Sequence, residues 1–109
     1  MYRAAVVGLL LAFALLADEP LVQVRPIYPE LAIAARIEGT VRLVLRVDET
    51  GRVQRVRLIS GHPFLVQAAI DAARQWRYRP TLINRKPVVV AKRVAITFSI
   101  GREPRVVTL

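Results

Sequence analysis

The chain has 109 residues, a length that suits one domain able to bury its own core. It has no cysteine, which excludes disulfides, thiolate metal sites, cysteine nucleophiles and a lipoprotein anchor. Its formal charge of +9, from 17 Lys and Arg against 8 Asp and Glu, favours anionic partners, but the arginines are spread along the chain and not gathered into a nucleic-acid arm.

Met1-Tyr2-Arg3 is short and positive and leads into Ala4–Ala17, an unbroken apolar run of 14 residues that Asp18-Glu19-Pro20 ends. A bilayer-spanning helix needs about 20 apolar residues, whereas a signal-peptide core needs about 7–15. Residues 1–17 are therefore expected to be a signal peptide, with a short N-terminal anchor as the alternative. A buried core helix is disfavoured because the run has no polar stripe. Residues 18–27 read as an extended lead-in, since Pro26 and Pro29 push the residues before them out of the helical region.

Pro29–Glu38 reads as a short helix: Pro29 suits the first position, Leu31, Ala34 and Ala35 recur at helical spacing, and Gly39 supplies the stop. Thr40–Val47 alternates, with Val41, Leu43, Leu45 and Val47 on one face. Asp48-Glu49-Thr50-Gly51 is a hairpin loop, and Arg52–Ile59 is the returning strand with Val56 and Leu58 inward. Arg42, Arg46, Arg55 and Arg57 then share the other face, where they must stay wet. Ser60-Gly61-His62-Pro63 turns into a second helix, Phe64 to about Trp76, with Leu65, Ala68, Ala69, Ala72 and Trp76 on its apolar face. Thr81–Lys86 is a polar connection turning at Asn84-Arg85. Val88–Ile100 is a long β-run with Val94, Ile96, Phe98 and Ile100 inward, and residues 101–109 read as a tail with weak β character. The expected fold is α+β in the order α-β-β-α-β: a three-stranded antiparallel sheet with two helices packed on one face.

Chemistry-bearing patterns are scarce. His62 is the only histidine, sits in a turn and has no carboxylate or second histidine near it in sequence, so it is read as a turn residue. There are no paired carboxylates, no phosphate-cradling loop and no nucleophile elbow, so no catalytic, cofactor or metal residue is assigned and no enzyme is expected. Trp76 and Tyr78 are read as core anchors. Nucleic acid is not expected as a partner, because the two arginine-bearing strands contain no aromatic residue to interleave. Contact of the arginine face with an acidic membrane surface or acidic peptide is the more plausible use of that charge.

Together, Tyr28-Pro29, Ile37-Glu38-Gly39, Gly51, Ser60-Gly61, Trp76-Arg77-Tyr78 with Pro80, and Phe98 resemble the C-terminal domain of TonB-type energy transducers over residues 28–100. The resemblance implies a periplasmic module that binds an extended peptide, the TonB box of an outer-membrane transporter plug. It implies strand addition to the last strand, whose free edge would offer unpaired backbone groups. The peptide-binding residues implied are Arg25, Ile27 and Tyr28, with Arg93, Val94, Ala95, Ile96, Thr97 and Phe98 of the final strand. Arg25 and Ile27 stand where classical members often carry Gln. The same edge permits pairing with a second copy, so a stand-alone, self-assembling periplasmic domain is the alternative. Full transducers of the family have a longer anchor with a functional Ser and His, followed by a Pro-rich spacer. Ala4–Ala17 has neither Ser nor His, and the expectation is a binding domain that does not transmit force.

Overall fold

The computed structural model describes residues 20–109, so the signal-peptide or anchor reading of residues 1–17 lies outside the described residues. The alternation of Thr40–Val47 becomes β1, Gly39–Val47, in which Val41, Leu43, Leu45 and Val47 are buried and the residues between them are not. β2, Val53–Ser60, returns antiparallel to it. The turn is fixed by Asp48, whose Oδ1 accepts from the backbone N–H of Thr50 at 2.9 Å, the Thr50 hydroxyl at 2.6 Å and the Arg52 N–H at 3.0 Å. Gly51 has φ +90°, and a Cβ there would lie 1.9 Å from the Tyr78 carbonyl oxygen, so only glycine fits this turn.

The first helix is shorter than its sequence pattern suggests. α1 spans Glu30–Ala34 and closes when the N–H groups of Arg36 and Ile37 donate to Ile33 and Ala32 carbonyls. Arg36, at φ 56°, takes the left-handed position expected of Gly39. Its inward face is also corrected: Ala32 is fully buried, while Leu31, Ala34 and Ala35 are exposed. α2, Pro63–Ala73, buries Leu65, Ala69, Ala72 and Ala73. Its entry is capped by His62, whose Nδ1 accepts from the Phe64 N–H at 3.0 Å.

The polar connection after α2 is a small hairpin of its own, β3 Thr81–Ile83 with β4 Lys86–Val88, turning at Asn84 and Arg85 with φ 51° and 65°. The long β-run breaks at Val89. Its remainder is β5, Val90–Phe98, paired with β1 from Gly39↔Phe98 to Val47↔Val90. The tail is not structureless: Arg105–Thr108 forms β6, antiparallel to β5 from Val94↔Thr108 to Thr97↔Arg105. The main sheet therefore has four strands, in the order β2-β1-β5-β6, where three were expected.

The core lies between the helices and one sheet face. The inward side chains of β1 meet Val94, Ile96 and Phe98 of β5, with Leu65 and Ala69 of α2 and the Trp76 and Tyr78 rings beside them. Each large side chain fully buried there contributes about 1.5–3 kcal/mol. Burial pushes the Tyr78 phenol up to about 12. Leu58, expected inside, is 43% exposed on β2, the outermost strand at that margin of the sheet.

Candidate functional site at the β5 margin

The lead-in runs extended and is tied down by the segment that follows α2. Val22 and Arg77 exchange backbone bonds of 3.1 and 3.0 Å, and the Trp76 Nε1–H donates to the Val24 carbonyl at 2.8 Å. These contacts hold Arg25 and Ile27 along the outer flank of α2. There they line a groove of about 410 Å³ with Phe64, Gln67, Ala68 and Asp71. Ile27 is an apolar side chain 82% exposed among the described residues. Tyr28 turns inward: its hydroxyl donates to the Ile37 carbonyl, and its ring meets Phe98 edge-on at 5.3 Å. Partial desolvation, with Glu38 nearby, holds the Tyr28 phenol above its usual range, which keeps it a neutral donor.

The β5 residues divide by parity. Val94, Ile96 and Phe98 are fully buried in the core and can offer a ligand only their backbone. Arg93 and Thr97 lie on the opposite face, where Thr97 shares a 2.9 Å hydroxyl hydrogen bond with Thr40. Ala95 is on that face too, nearly covered. The expectation that this strand forms the open edge is overturned over Val94–Thr97, because β6 already occupies that side. The Leu109 N–H extends the contact by donating to the Arg93 carbonyl at 2.9 Å.

One ion pair joins the two halves of the candidate site. Arg25 Nη1 lies 2.5 Å from Glu103 Oε2, in the loop that delivers β6. Both side chains are mostly exposed, so the pair fixes geometry more than it adds stability, about 1 kcal/mol or less. Sequence reasoning missed Glu103 and Arg105–Thr108. The Val106-Val107-Thr108 run was the available signal for a strand. Among the described residues, no three His, Cys, Asp or Glu side chains gather where they could hold a metal. No described helix is long and apolar enough to cross a membrane.

Residues 24–100 match the family described as the Gram-negative bacterial TonB protein C-terminal. Protein TonB of Vibrio cholerae is 33% identical over 91 residues, covering 79% of this chain and 37% of that protein. Protein TonB of Xanthomonas campestris pv. campestris is 34% identical over 78 residues, 70% of this chain and 35% of the relative. Protein TonB of Escherichia coli is 40% identical over 58 residues, 51% of this chain and 24% of the relative. The chain thus spans little more than a third, at most, of the length of these relatives. The helix-hairpin-helix-strand core falls within the matched residues, as does the lead-in from Val24 onward, and the chain belongs to the TonB C-terminal family.

Proposed function

We propose that this domain captures an extended peptide, the TonB box of an outer-membrane transporter plug, by strand addition to β5, and so serves TonB-dependent transport. The observation that carries the reading is β6 itself. Four residues of the chain's own C-terminal segment lie antiparallel on β5, which supports a reading in which an extended backbone pairs with this margin. β6 is short and only half covered: Val106 packs against the core and Thr108 shares its inward face, while Arg105 and Val107 are exposed. An incoming peptide takes the position of β6 along Arg93–Phe98, with Arg25, Ile27 and Tyr28 beside its end. The Arg25–Glu103 pair makes the exchange cooperative, since lifting β6 frees Arg25 for a peptide carboxylate. The domain works in the periplasm in this reading, exported by a signal peptide or held at the inner membrane by a short anchor.

Titration of the isotopically labelled protein with a TonB-box peptide tests this. The expected result is shifted amides at Val94–Thr97 together with loss of exchange protection at Arg105–Thr108. A saturating peptide that leaves β6 protected and β5 unshifted would end the proposal.

A further inference from the structure

The sheet face turned away from the helices carries a charge pattern that peptide capture touches only at its β5–β6 end. Arg42, Arg46, Arg55, Arg57, Arg93 and Arg105 stand exposed on it. The described carboxylates sit elsewhere, on α1 and α2, beside β1, in the β1–β2 turn and in the β5–β6 loop, and none occupies a strand position on this face. Arg46 lies directly opposite Arg55 across the β1–β2 ladder, and Val44 is flanked by Arg57 on one side and Arg93 on the other. Like charges placed opposite each other in a ladder are destabilising, so the fold holds a repulsion that no carboxylate among its described residues relieves. Arg46, Arg55 and Arg57 border a hollow of about 500 Å³ whose remaining lining is Val44, Val89, Val90 and Ala91. Val107 and Leu109, 49% and 66% exposed, continue the apolar component toward the β6 end.

We infer that this face docks on an anionic phospholipid surface, with the arginines on headgroup phosphates and the apolar residues among them seated at the headgroup level. Guanidinium groups bind phosphate oxygens in a bidentate fork, and one phosphate between Arg46 and Arg55 removes their repulsion. The apolar floor suits an amphiphile, whereas a bare polyanion leaves it wet. A peptide finds little to recognise here, because the hydrogen bonds of a sheet lie in its plane and the face exposes no backbone groups. Nucleic acid lacks a stacking partner, since no aromatic residue occupies a strand position on this face.

The test is co-sedimentation of the full chain with phosphatidylcholine vesicles containing phosphatidylglycerol, at low salt. Every variant keeps Ala4–Ala17, so any contribution of that run is common to all arms. At about fivefold per arginine, R46Q/R55Q/R57Q should lose roughly a hundredfold in partitioning. R36Q/R74Q/R102Q, equal in net charge, should lose less than tenfold. The single variant Arg55→Glu places a carboxylate opposite Arg46. It is expected to melt at or above the parent temperature and still to lose vesicle binding, which separates docking from folding. Equal losses in the two triple variants would overturn the inference. So would displacement from vesicles by millimolar inorganic phosphate at constant ionic strength, which would make the hollow an ion site, or oligonucleotide binding with the same arginine dependence. None of these arms reads the β5 margin, so this inference and the peptide proposal can fail separately.

Discussion

The two margins of the main sheet are built by different means. β2 is delivered by a four-residue turn in which Asp48 accepts three hydrogen bonds and Gly51 lies against the Tyr78 carbonyl. β6 arrives after a loop held by the exposed Arg25–Glu103 pair, the Ile100 N–H on Glu38 Oε1 and the Arg102 N–H on the Ser99 carbonyl, and turns Val106 and Thr108 toward the core. Both are outer strands, yet one is locked by a local glycine turn with three hydrogen bonds and the other rests on backbone pairing and contacts distant in sequence. The difference teaches that a sheet margin is replaceable where its turn is loose and its inward side chains are few. Such regions occupy the low end of local stability.

The largest test removes the lock on the firm margin. Gly51→Ala requires a Cβ at positive φ and in steric overlap with the Tyr78 oxygen, 1.9 Å away, and is expected to cost about 2–4 kcal/mol in urea unfolding. A loss under about 1 kcal/mol would mean that the Tyr78 segment yields freely and that the two margins are alike. The loose margin is sharpened by Val106→Ala, with an expected cost of about 1 kcal/mol from two lost methyl groups at a half-buried site. Its exchange signature matters more: Arg105–Thr108 should lose protection while Val53–Ser60 keeps it. Simultaneous opening of β2 would break the comparison.

The smallest effect is acid sensitivity confined to the β2 margin. The Thr50 hydroxyl, then the Arg52 and Thr50 N–H groups and the Arg52 charge, hold the Asp48 carboxyl below its ordinary value of 3.8. A depressed carboxyl stabilises the fold above the unfolded value and loses that contribution as pH falls through the folded one. The β1–β2 turn amides should therefore lose protection below about pH 4, β6 should not follow, and Asp48→Asn should abolish the pH dependence. A turn whose protection stays flat down to pH 2 would show that the carboxylate does not hold it.

Much of this architecture is legible in the residues, and the failures have physical causes. Strict alternation set the inner face of β1, and Gly51 marked the turn, because period and positive φ leave few alternatives. One helical turn cannot choose its face by period alone, so α1 was oriented by Leu31 where Ala32 is buried. Consecutive valines at 88, 89 and 90 hide the break between β4 and β5. β6 is four residues long with Val106 and Thr108 inward, too short for a periodicity signal, which is why three strands were expected and the β5 margin was thought open. Arg25 and Ile27 line a groove beside α2, but Glu103, 78 residues from its partner Arg25, carries no local signal at all.

The indole bond to the lead-in has a practical consequence. The chain has a single tryptophan, Trp76, only 1% exposed, and its N–H rests on the Val24 carbonyl. Its fluorescence therefore reports, without any label, whether the strap of residues ahead of Tyr28 is seated against the end of α2. The protein carries its own optical gauge at the joint on which the placement of Arg25 and Ile27 depends.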